Sequence, residues 1–114
     1  MHRIGIVRDP RFLDHKTGVH HIEVPRRLEA IYAMLDANEL TSQLQIVPPR
    51  LASLDDIELI HAPEYIDKIL DTAGEPLRYL DPDTVTSEKS CEVAFLAAGG
   101  VLAAVDQVLS GGLD

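Results

Sequence analysis

The run that most constrains this chain is its last. From about Ser87 to Ser110 the spacing predicts a single helix, and between Val93 and Val105 that helix is apolar on nearly every face. Such a helix has to be covered on most sides, and the short strands and other helices of a 114-residue chain hold too little apolar area to do it. The stretch Val93 to Val105, interrupted by Gly99-Gly100, is expected to be too short to span a bilayer. What covers it is therefore expected to come from further protein: the remainder of a larger domain, or a second copy in a homodimer.

The rest of the chain reads as an α/β arrangement. Arg3 to Val7 predicts a short strand with Ile4 and Ile6 on one face, followed by a polar, irregular segment from Arg8 to Val24. Pro25 suits a first helical turn, since the amide it lacks has no intrahelical partner there. A helix from Pro25 to about Asn38 is predicted to bury Leu28, Ile31 and Leu35, with Tyr32 beside them, and to show Arg26, Glu29 and Asp36 to water. Leu44 to Val47 predicts a second strand, stopped by Pro48-Pro49. Strand, helix and strand in that order point to a parallel pair joined by a right-handed crossover. Ser53 followed by Asp55 and Asp56 reads as a capped helix start running to Ile60, and Pro63 opens a further helix ended by Gly74.

Charge divides the chain. Residues 1 to 50 carry seven Lys or Arg against six Asp or Glu, whereas residues 51 to 114 carry three against thirteen, for a net −9. A basic footprint for nucleic acid is missing, so that class of partner is disfavoured. The acidity reads as a solvated surface or as an attraction for a cationic substrate. Neither a signal-peptide core nor a membrane span is apparent, and a cytoplasmic location is expected. Cys91, the single cysteine, reads as a small core residue.

Chemistry-bearing residues gather in two loops. In the first, His20-His21-Ile22-Glu23 leads into Pro25-Arg26-Arg27-Leu28, and in the second Leu80-Asp81-Pro82-Asp83-Thr84 sets two carboxylates beside a proline-fixed turn. Those acids can cap the turn and the next helix, or accept hydrogen bonds from a ligand, since a carboxylate only accepts. His20-His21 with Asp14, His15 and Glu23 falls short of the three or four fixed ligands a zinc site needs. None of the common hydrolase, phosphate-loop or paired-cysteine motifs is present.

Three stretches together resemble the zinc-dependent deacetylases, the family of histone deacetylases, acetylpolyamine amidohydrolases and acetoin-utilisation proteins. His21, Glu23, Pro25, Arg27 and Leu28 match its His-Pro-Glu-x-Pro-x-Arg-Leu entry, with Ile22 in place of proline; His61, Tyr65 and Ile66 match a second segment; and Asp81 to Thr84, followed by Ala97-Ala98-Gly99-Gly100, match a third. The resemblance covers essentially the whole chain but only the opening third of a typical family domain. It implies the N-terminal portion of an arginase/deacetylase-like three-layer domain with a parallel sheet. It also implies that Asp83, or failing that Asp81, contacts substrate at the tunnel rim, and that Arg27 lines an internal channel through which acetate leaves. His21 and Glu23 belong to the motif loop.

The family's zinc ligands, histidine pair and tyrosine fall beyond position 114. The zinc that would polarise an acetyl-lysine or acetylpolyamine amide is thus expected in a full-length parent, and this chain alone is expected to be inactive. The alternative is a naturally short, non-enzymatic interaction module that docks through its C-terminal helix.

Overall fold

The computed structural model describes residues 2–114. Strand β1 (Gly5–Val7) and strand β2 (Gln45–Val47) pair in parallel, Ile6 opposite Ile46, and helix α1 (Pro25–Ala37) lies in the connection between them. This is the predicted strand, helix, strand unit, with each strand a residue or two shorter than the sequence pattern suggests. Helix α2 (Leu54–Glu58) opens on a full capping box: Ser53 Oγ accepts from Asp56 N at 3.1 Å, and Asp56 Oδ2 accepts from Ser53 N at 3.0 Å. Helix α3 (Pro63–Leu70) stops four residues before Gly74, which takes φ +77° to close the following turn.

Three local expectations are corrected. The segment after β1 is not wholly irregular, because Asp9 caps a 3-10 turn at Pro10–Asp14. Leu80 to Thr84 is not a free loop but the tip of an antiparallel hairpin, strand β3 (Arg78–Asp81) against strand β4 (Thr84–Thr86). On α1 the covered stripe is narrower than the predicted one: Leu28, Tyr32 and Leu35 are half-buried as expected, while Ile31 is 50% exposed. Part of the cover on Tyr32 comes from Arg8, whose guanidinium stacks 4.4 Å over its ring.

Arg8 also ties the end of β1 to the end of α1. Its two terminal nitrogens donate to the two Asp36 oxygens, each at 2.8 Å, and Thr41 Oγ1 donates to the same carboxylate. The arrangement holds the Asp36 carboxyl down to about 2, against an ordinary 3.8.

Helix α4 (Ser90–Leu109) is the spine. Leu96 is 1% exposed, and with Cys91, Val93 and the buried strand residue Val47 it forms the core. A Cβ on Gly99 would lie 1.7 Å from the Arg50 carbonyl oxygen, and one on Gly100 2.7 Å from Val7 Cγ1. The helix therefore rests directly on backbone, and Ala52 N donates into it, to the Phe95 carbonyl, at 3.0 Å. As predicted, one continuous helix runs through Gly99-Gly100; the expectation that the stretch is too short to span a bilayer is corrected, because the helix's 20 residues are long and apolar enough to do so by length and composition, while its N-terminal half is packed into the core described above.

Beyond Gly100 the cover runs out. Val101 is 63% exposed and Leu109 81%. The accessible surface is 7801 Å², where roughly 6,200 Å² is usual for a monomer of this mass. A radius of gyration of 15.8 Å against roughly 13 Å for this length tells the same story.

Two tests follow from this packing. Gly99→Ala raises helix propensity by about 1 kcal/mol, yet it forces α4 off the Arg50 carbonyl. Denaturant unfolding should show a net loss of about 2 kcal/mol, the upper end of overpacking costs less that gain; a stabilised variant would mean that the helix does not sit on this backbone. For Asp36, a folded-state pKa below 3.8 means stability that is present above that value and lost as pH falls through about 2. Asp36→Asn should be less stable than the parent at neutral pH, with the gap closing between pH 3.8 and about 2.

Candidate functional site

The hairpin tip and the loop before α1 face each other across an open cleft of about 770 Å³. On one side stand Thr17 to Glu23, on the other Leu77, Tyr79, Pro82 and Asp83. Asp83, His21 and Glu23, separated by some sixty positions in sequence, are thus brought together, whereas Asp81 does not line the cleft and is bonded within its own turn.

The two aspartates do different work. Asp81 Oδ1 accepts the amides of Asp83 and Thr84, both at 2.8 Å, and Oδ2 accepts Thr84 Oγ1 at 2.9 Å. Those bonds, the Asp83 amide foremost, hold its carboxyl below the usual carboxylate range. It is the brace of the turn. Among the described residues, nothing donates to the Asp83 carboxylate, which stands exposed on the cleft wall.

On the facing loop, His21 Nε2 lies 2.8 Å from the Asp83 carbonyl oxygen, and Glu23 N donates to His21 Nδ1 at 3.0 Å. Thr17, buried, donates its hydroxyl to the Glu23 carbonyl and closes the loop on itself. Arg27 pairs with Glu23 one helical turn away, both side chains more than half exposed. The pair lies on the surface, and Arg27 in addition borders a hollow of about 300 Å³ with Phe12, His15, Val24 and Leu28.

Beneath the cleft lies a narrower hollow of about 350 Å³, sharing the walls Thr17, His21, Glu23 and Asp83 and floored by Ser90, Cys91 and Ala94 of α4. Here His15, weighed in the sequence only as a neighbour of the histidine pair, has a partner of its own. His15 Nδ1 lies 2.7 Å from Ser90 Oγ, which also takes the Ser87 amide at 2.8 Å. Burial first, then the neighbouring His21 ring, lowers the His15 pKa, against an opposing pull from Glu23. With 75 positions between His15 and Ser90, no local pattern announces the contact. Cys91 is buried, and burial pushes its thiol pKa up. His61, tilted on Tyr65 with ring centroids 5.2 Å apart, does not line the cleft but a separate hollow with Ile57, Ile66 and Phe95. Among the described residues, no group of three His, Cys, Asp or Glu side chains is placed to hold a metal ion.

The sequence model of the histone deacetylase domain matches residues 21–114. A probable deacetylase of Methanothermobacter thermautotrophicus is 32% identical over 94% of this chain. The acetoin utilization protein AcuC of Bacillus subtilis is 31% identical over 92%, and a histone deacetylase-like amidohydrolase of Pseudomonas aeruginosa 31% over 82%. In each case the chain spans only a quarter to a third of the relative, 31%, 31% and 25% respectively. The HD domain of HDA15, in its crystal structure, superposes with a TM-score of 0.91 at 25% identity over 97% of this chain and 33% of that one.

The brace on the turn is open to test. Asp81→Ala should speed hydrogen exchange at the Asp83 and Thr84 amides, and Asp81→Asn, which keeps one acceptor oxygen, should speed it less. Unchanged exchange in the alanine variant would show that the turn holds without its brace.

Proposed function

The chain belongs to the histone deacetylase family, and on that premise we propose that it builds the entrance and one wall of a zinc-dependent deacetylase site whose metal ligands lie outside residues 1–114. The substrates of this reading are acetylated amines, acetyl-lysine or acetylpolyamine. The observation that carries it is the Asp83 carboxylate, held at the cleft mouth on a braced turn with no donor of its own among the described residues. An acceptor in that position suits the amide N–H groups flanking an acetylated side chain, and it orients the chain without reacting. Around it Val19, Ile22, Leu77 and Tyr79 give the cleft an apolar rim that displaces water from such a substrate.

The residues present do not fit a zinc ion. No three-ligand group exists among the described residues, and the two inward imidazoles, His15 and His21, are committed to Ser90 and to the Asp83–Glu23 backbone. In this reading the chain contributes binding and orientation. Arg27, beside the hollow at the base of α1, is in this reading a guanidinium that draws the acetate product away. Excess surface and the bare end of α4 support a further layer of the same domain packing there.

The experiment compares the isolated 114-residue chain with a protein in which it is continued by a family-type remainder. The isolated chain should hold no stoichiometric zinc after dialysis and release no acetate from acetyl-lysine peptides, and it should self-associate in sedimentation through α4, less so as Leu102→Asp. The continued protein should bind zinc and turn over. One zinc per isolated chain with turnover would refute the reading.

A further inference from the structure

We propose that His21 is the positioning residue for Asp83 and that it acts as a neutral imidazole with its single proton on Nε2. The two partners of the ring leave no other choice. Glu23 N–H is a backbone donor and cannot accept, so Nδ1, 3.0 Å away, has to be the bare nitrogen. The Asp83 carbonyl can only accept, so Nε2, 2.8 Å away, has to carry the proton. The opposite tautomer would set N–H against N–H at one end and lone pair against lone pair at the other.

This bond has a specific mechanical result. Asp81 holds the Asp83 amide from one side and His21 holds its carbonyl from the other, so both peptide groups that flank the Asp83 Cα are fixed. Only its side chain remains uncommitted. The ring is itself anchored, because the loop that bears it is closed by Thr17 on Glu23 and stands on α1 through the Glu23–Arg27 pair. Neighbouring charge comes from the Glu23 carboxylate, already paired, and from the His15 ring in the hollow below. A bridge between two loops 62 positions apart thereby sets where the acceptor at the cleft mouth points.

The inference rests on the reading of Asp83 as a substrate contact, and the test separates the two. In the intact zinc-loaded enzyme, His21→Ala should raise KM for an acetyl-lysine peptide about tenfold, the worth of one hydrogen bond, with kcat within about twofold. His21→Gln, whose side-chain amide can still donate to the Asp83 carbonyl, should recover most of the loss. Asp83→Ala should raise KM similarly, and His21→Ala added to it should cost nothing more. Imidazole ¹⁵N spectra of the same enzyme should show a pyrrole-like Nε2 and a pyridine-like Nδ1 for His21. A proton found on Nδ1, or a normal KM for His21→Ala where Asp83→Ala raises it, overturns the positioning role. A normal KM for Asp83→Ala overturns the substrate reading instead, while the spectra still decide how His21 is bonded.

Discussion

Everything in this structure hangs on the contact between a helix without side chains at two positions and a stretch of backbone. Gly99 and Gly100 let α4 settle onto Arg50 to Ala52 and onto Val7 so closely that a helical carbonyl, that of Phe95, takes a hydrogen bond from outside the helix. Bringing main chain to main chain fixes the height and rotation of α4 over the parallel strands more tightly than interdigitated side chains would. From that seat the N-terminal turns of α4 deliver Ser90 and Cys91 to the floor of the hollow and receive His15 from the segment after β1. The cleft inherits its position from the seat.

A hierarchy of rigidity results. The strand pair, α1 and the first half of α4 are cross-braced by Arg8 and the glycine seat, and on this frame stand two loops with little core of their own. The hairpin tip has exposed Tyr79 and half-buried Leu80, and the facing loop has exposed Val19 and Ile22. What holds them is polar: the Asp81 turn, the Thr17 closure and the His21 bridge. Short polar ties on a rigid frame give a defined geometry without burying the surface that a substrate would need.

Local features of the chain were legible where one element's physics decides them. Pro25 and Pro63 open helices as the missing amide suggests, Ser53 caps with Asp56, and the strand, helix, strand order produces a parallel pair. Legibility failed where a partner from far away decides. Ile31 fits the stripe of α1 by spacing yet stands exposed, and the cover that Arg8 gives Tyr32 is nowhere recorded in helical periodicity. The hairpin was hidden because its strands are of four and three residues with a register irregularity at Tyr79/Asp81, too short for alternation to show. Gly99-Gly100 read only as an interruption of an apolar run, whereas the approach of the Arg50 carbonyl shows why the helix carries glycine there. For the cleft, the residue types in the two loops were visible in sequence and the resemblance grouped them. The division of labour between Asp81 and Asp83, and the engagement of His15 with Ser90, required coordinates.

The buried thiol has a use outside any reaction. Cys91 is the one cysteine in the chain, 6% exposed, and it faces the hollow roofed by the hairpin and the motif loop. An alkylating reagent reaches it only while that roof is lifted or α4 is loosened, and burial suppresses the reactive thiolate as well. Its labelling rate is consequently an internal clock for breathing of the cleft. With no engineered probe, it reports how often the two polar-tied loops part and how far anything bound between them keeps them shut.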